Sequence, residues 1–213
     1  MHEWPIIHYE RCHAREVQFT DEHAMIHLAD GRIIGVPLRW FPPIQSATSE
    51  QRHNYISYGD TVYWHDVDDG IDLTAMLTGL YIVPVYQRNT RTQPHVPTTW
   101  LYLEAAPRHS SGGIERVPFV HDTRNLPESV RFTDDLIKFD LADGRILCLP
   151  SRFSQELAQA SDSQRQNYRL KCLSVYWEQL NESMNLIAML TGFYDIDMPW
   201  SEDTVDQANA TPT

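Results

Sequence analysis

The chain has 213 residues, of which 42% are hydrophobic, 11% aromatic and 22% charged, a globular composition with room for one ordinary domain or two small ones. Acids outnumber Lys plus Arg 29 to 17, giving a net charge of −12, which disfavours a general nucleic-acid binder or a polybasic membrane anchor, since both need cationic surface. No apolar stretch approaches the roughly 20 residues that span a bilayer. Met1-His2-Glu3-Trp4-Pro5 lacks the pattern of a signal peptide, and three scattered cysteines (Cys12, Cys148, Cys172) make no disulfide framework, so a reducing cytoplasm is expected.

In chain order, an N-terminal extension (1–18) leads into a duplicated segment. Residues 19–81 align with 132–194 at a constant offset of 113 without a gap, and 26 of the 63 pairs are identical. The blocks Leu28-Ala29-Asp30-Gly31-Arg32-Ile33, Gln51-Arg52-His53-Asn54-Tyr55, Val62-Tyr63-Trp64 and Ala75-Met76-Leu77-Thr78-Gly79 each recur 113 residues later, the second with Gln166 in place of His53. Such a period is too long for a solenoid and marks a duplicated small domain. We therefore expect an α+β fold of two similar modules, each a β-hairpin, a helix, a further strand and a short C-terminal helix, set together as a pseudo-dimer.

Within copy two, Ile137, Phe139 and Leu141 alternate with Lys138 and Asp140, the period of a half-buried strand. Asp143-Gly144 reads as a two-residue hairpin turn, which pairs Leu141 with Ile146 and Phe139 with Cys148. The return strand is apolar on both sides. That predicts cover from its own helix on one face and from the sister copy on the other. Thr48 with Gln51, and Ser161 with Gln164, fit the capping box of a following helix. A strand follows at Val62-Tyr63-Trp64. The last helix starts after Asp72 or Asn185 and ends at Gly79 or Gly192. The connector, 82–131, holds six prolines and a candidate strand at 100–103. The tail from 195 is acidic and is expected to be disordered.

Each copy resembles an uncharacterised bacterial family, domain of unknown function 2442. The resemblance rests on the Asp-Gly-Arg hairpin, on Pro37-Leu38-Arg39-Trp40-Phe41-Pro42, on Ala47 through Tyr55, on Trp64 and on Leu77-Thr78-Gly79. It implies a small α+β fold, association with DNA-binding domains or toxin-like partners, and no known catalytic residue or cofactor. The family pattern continues after its Trp with Pro and acids. Copy one keeps the acids in His65-Asp66-Val67-Asp68-Asp69-Gly70 but lacks the Pro, whereas copy two, with Glu178-Gln179-Leu180-Asn181-Glu182-Ser183, has fewer of them. Any role of that loop is expected to survive in copy one.

The leading binding candidates are Arg39, Arg52, Asn54 and Tyr55 with their twins Arg152, Arg165, Asn167 and Tyr168, together with Asp66, Asp68, Asp69 and Trp100. Guanidinium forks suit carboxylates of a partner. Against this stands an internal reading, in which these side chains tie the helix to the acidic loop. Trp4 and Trp200 lie outside the repeats, as Trp100 does, and are further candidate anchors; Trp40, Trp64 and Trp177 read as core. Asp66, Asp68, Asp69 and Asp72 fail the EF-hand spacing, and His8, Cys12 and His13 lack a second zinc-ligand pair, so no metal and no cofactor are expected. No phosphate loop or nucleophile elbow is present.

Copy one carries nine acids and three Arg, net −6; copy two carries eight acids against six Lys or Arg, net −2. The duplicated framework thus has two different exteriors. The expectation is a non-enzymatic interaction protein that binds a basic protein partner, as an antitoxin-like inhibitor or an adaptor subunit in a bacterial defence or nucleic-acid-processing complex. Two alternatives are a nucleic-acid-associated regulator using Arg88, Arg91, Arg108, Arg116, Arg124 and Arg131 of the connector, and a cryptic enzyme.

Overall fold

The computed structural model describes residues 7–80, 123–133 and 135–194. Module one is β1 (Ala14–Phe19), β2 (His23–Leu28), β3 (Ile33–Pro37), α1 (Pro42–Ser46), α2 (Ser49–His53), β4 (Ile56–Ser57), β5 (Thr61–Trp64), β6 (Asp69–Asp72) and α3 (Leu73–Thr78). Module two repeats it as β7 (Pro127–Phe132), β8 (Leu136–Leu141), β9 (Ile146–Pro150), α4 (Gln155–Gln159), α5 (Asp162–Gln166), β10 (Arg169–Lys171), β11 (Ser174–Trp177), β12 (Glu182–Asn185) and α6 (Leu186–Thr191). Bounds of 19 and 132 therefore leave out nearly all of each module's first strand. The candidate strand at 100–103 and the tail lie outside the described residues.

The modules join edge to edge. A six-stranded antiparallel sheet runs β1-β2-β3-β9-β8-β7, with Ile34 opposite Leu147 at the seam. These two residues are 113 apart, so the pseudo-twofold passes between them. One row of side chains crosses all six strands: Val17, Ile26, Ile34, Leu147, Phe139 and Val130. Every member is buried, and each contributes roughly 1.5–3 kcal/mol by leaving water. The sister copy thus completes the return strand through its hydrogen-bonding edge, not across its face, as its two-sided apolar character had suggested.

The hairpin register also differs from the two-residue reading. Phe139 faces Leu147 and Lys138 faces Cys148. Gly144 N–H bonds the Leu141 carbonyl, and Leu141 N–H bonds the Arg145 carbonyl, which closes a three-residue loop with Gly144 at φ +95. The reason is a clamp. Asp143 accepts both the backbone N–H of Arg145 (2.9 Å) and its Nε (2.7 Å), and Asp30 treats Arg32 alike. The arginine is thereby drawn into the turn, and Leu147 and Leu149 move to the core face with Phe139 and Leu141.

The helix ends follow the sequence. Both capping boxes form at Thr48–Gln51 and Ser161–Gln164. Asp72 and Asn185 accept from Ala75 N and Ala188 N, and Gly79 and Gly192 close α3 and α6 in the left-handed conformation. The small sheets β4-β5-β6 and β10-β11-β12 press Val62, Trp64 and Ile71, or Val175, Trp177 and Met184, into the core. Their β4–β5 and β10–β11 turns differ: Gly59 has φ +86, while its twin, the exposed Cys172, holds φ +51. A side chain with a Cβ is disfavoured there by roughly 1–2 kcal/mol. Cys172→Gly is therefore expected to raise stability by about 0.5–1 kcal/mol after the added freedom of the unfolded chain is counted, read as a higher urea midpoint.

Candidate functional site

The arginines and tyrosines of the polar set turn inward or across the seam, whereas its two asparagines stay at the surface. Arg52 donates from Nε to the Ile44 carbonyl (3.1 Å) and from Nη2 to that of Gln45 (2.6 Å). Arg165 does the same to Leu157 and Ala158, both at 2.9 Å. Each arginine thus closes the preceding helix's C-terminal end, where carbonyls lack intrahelical partners, and its own carbonyl receives the indole N–H of Trp64 or Trp177 at 2.9 Å. The Tyr55 hydroxyl accepts Val17 N–H (3.0 Å) and Tyr168 that of Val130 (3.1 Å). They fill outward donors on the outermost strands of the large sheet and blunt edges that would otherwise template another chain. Asn54 alone of these reaches the acidic loop, at Asp66 (2.9 Å); Asn167 sits exposed on its module's surface. Arg39 lies against the Gly144 turn of the sister module, and Arg152 reaches the Asp30 carbonyl at 3.4 Å. Of the connector arginines, Arg124 donates to the Gly79 carbonyl (2.8 Å) and Arg131 pairs with Asp140. Arg88, Arg91, Arg108, Arg116 and the anchors Trp4, Trp100 and Trp200 lie outside the described residues.

The seam carries a reciprocal lock. Arg32, fully buried and clamped by Asp30, donates to the carbonyls of Met189 and Leu190 (2.9 Å to the latter) at the end of α6. Arg145, clamped by Asp143, donates to that of Met76 in α3. Burial works against the charge of Arg32, but the Asp30 carboxylate together with the Cys12 and Tyr194 side chains outweighs it, so its pKa is raised. Around Arg32, Cys12 accepts from Nη2 (3.1 Å), and the Tyr194 hydroxyl donates to Asp30 (2.7 Å). Burial pushes up both the thiol and the phenol, so neither is primed as a nucleophile. Burial likewise lifts the Cys148 thiol to about 11.

What remains outward is the solvent face of β4-β5-β6. Strand alternation that buries Val62, Trp64 and Ile71 points Ile56, Tyr63 and Gly70, which are register partners, the other way. Tyr58 and His65 extend this face. Ile56 is 44% and Tyr58 58% exposed. The Tyr63 ring packs perpendicular to that of His65 (centroids 4.8 Å) and lies against Gly70, where a Cβ would stand 3.0 Å from it. Its hydroxyl donates to Asp68, which raises the phenol's pKa. Tyr58 and His65 Nε2 stand 3.5 Å apart, and Tyr9 lies over the Gly59 turn. Around them, residues 53–72 hold five acids and no Lys or Arg. Burial also raises the Asp69 carboxyl, although its Oδ1 accepts Gly70 N–H (2.8 Å).

The sister face is built differently on the same frame. Ile56, Tyr58, His65, Asp68 and Asp72 correspond to Arg169, Lys171, Glu178, Asn181 and Asn185, and Arg169 pairs with Glu178 at 3.0 Å. Tyr63 keeps its counterpart in Tyr176, which is 38% exposed, so what the fold does not require is the apolar and aromatic character at positions 56, 58 and 65. Of this site the sequence had supplied Asp66, Asp68 and Asp69 but not Tyr58, Tyr63, His65 or Ile56. The missed signal was the exchange of charge for apolar residues at outward positions of the repeat.

The fold defines a tandem pair of α+β modules sharing one sheet, with one acidic and aromatic outer face. Residues 14–81 and 127–195 both match the model of the family described as protein of unknown function DUF2442, and the chain belongs to that family, present twice. A crystal structure of a protein of unknown function from Rhodospirillum rubrum is similar at 22% identity; the match covers 34% of this chain and 92% of that one, with a TM-score of 0.30. No curated protein matches the chain. Among the described residues, no helix is long and apolar enough to cross a membrane, and no group of three or more His, Cys, Asp or Glu is placed to hold a metal ion.

Proposed function

We propose that this protein is a non-enzymatic docking body that binds a basic protein partner through the outer face of module one, as an inhibitor of the antitoxin kind or an adaptor subunit. The observation that carries this is the outward surface of exposed Ile56, Tyr58 and His65 with half-buried Tyr63, amid five acids, on a frame whose twin keeps Tyr176 but carries Arg169, Lys171 and Glu178 at the other three positions. Exposed tyrosines are common anchors of interfaces, and a charged rim steers an oppositely charged partner. The face is a better docking surface than the sheet edges, because Tyr55, Tyr168, Asp69 and Glu182 already occupy outward backbone donors of β1, β7, β6 and β12.

The test is an amide NMR titration of the full chain with a Gly-Ser peptide bearing Lys and Arg. Shifts are expected on β4–β6 and not on β10–β12, weakening as salt rises. The variant Ile56→Arg/Tyr58→Lys/His65→Glu, which installs what module two carries, is expected to lose at least tenfold in affinity. No shift on β4–β6, or equal shifts on both small sheets, would refute the reading.

A further inference from the structure

Resting on that reading, we infer that the group recognised on the module-one face is an arginine side chain of the partner. The Tyr63 ring is held in one place: its hydroxyl is tied to Asp68, it stands perpendicular to the His65 ring, and Gly70 leaves room for it. A carboxylate, Asp68, therefore stands beside a fixed aromatic ring, and Asp66 of the same loop is held by Asn54. A guanidinium matches this pairing because its two faces are weakly hydrated and stack on rings, while its N–H groups project from its edge and fork onto carboxylates. An ammonium has no flat face and must shed tightly held water to approach a ring.

The chain already solves the same problem internally. Arg11 stands 4.6 Å from the Tyr194 ring centroid while donating to the Gly192 (2.9 Å) and Tyr194 (3.0 Å) carbonyls. Arg52 stacks on Phe19 at 5.1 Å and Arg165 on Phe132 at 5.6 Å, each with its N–H groups on carbonyl oxygens. The module-one face offers the aromatic half and the acceptor half of this arrangement to solvent.

Three peptides separate the possibilities: one Gly-Ser sequence with Arg, with Lys or with neutral citrulline at the same positions, titrated into the full-length chain. The Arg peptide is expected to bind at least fivefold tighter than the Lys peptide, with the citrulline peptide silent. Tyr58→Ser and Asp68→Asn are each expected to reduce the Arg preference while leaving the far-ultraviolet circular dichroism unchanged. Equal binding of Arg and Lys peptides, or a preference untouched by both substitutions, overturns the arginine assignment and leaves the docking of a basic partner standing. Absence of any shift on β4–β6 with either cationic peptide overturns both.

Discussion

Replacing Arg145 by Met is expected to cost about 3–5 kcal/mol of stability, the range for removing one partner of a buried ion pair. Arg145 is fully buried and serves acceptors of different kinds, among them the Asp143 carboxylate of its own turn, the Asn125 side chain, the Arg124 carbonyl and the Met76 carbonyl in the other module's last helix. Met fills the volume but deprives a nearly buried carboxylate of its guanidinium and the Met76 carbonyl of its donor. The double variant Asp143→Asn/Arg145→Met removes the carboxylate charge and is expected to recover only part of the loss, because the Met76 carbonyl remains without the Arg145 donor. Arg32→Met is expected to behave alike through Asp30, Met189 and Leu190. Urea unfolding reads the effect, and a loss below 1 kcal/mol for Arg145→Met would show that the seam does not depend on this lock.

The lock also shows why part of the architecture was hidden in the sequence. Capping boxes, N-caps and terminal glycines span three to six residues, and strand alternation has a period of two, so each can be read within a short window. Arg32 meets Leu190 across 158 positions, and nothing near Arg32 identifies that acceptor. The two-faced apolar return strand fits either face packing or edge pairing, and only the sheet order decides. The hairpin register departs from the bare Asp-Gly signal because Asp143 holds Arg145 inside the turn. Earlier identities at Arg11/Arg124 and Val17/Val130 would have brought β1 and β7 into the modules. On the module-one face, Tyr58 and Tyr63 pass for core residues until the parity of β5 is fixed by buried Val62 and Trp64.

Trp177→Ala is the second large effect, and its reach matters more than its size. The indole is fully buried and its N–H is bonded to the Arg165 carbonyl. Truncation leaves a cavity and an uncapped acceptor, for about 3–5 kcal/mol. If each module were an independent unit, this loss would stay in module two. The row from Val17 to Val130 runs through the seam without interruption, and each module's last helix ends on the other's arginine. The two modules are therefore expected to unfold as one cooperative unit, as small two-state domains do. Hydrogen exchange of Trp177→Ala should show β1–β3 losing protection by about as much as β7–β9. Protection kept in β1–β3 while β7–β9 open would mean that the shared sheet does not couple the halves, and the pseudo-dimer would then be two domains in contact.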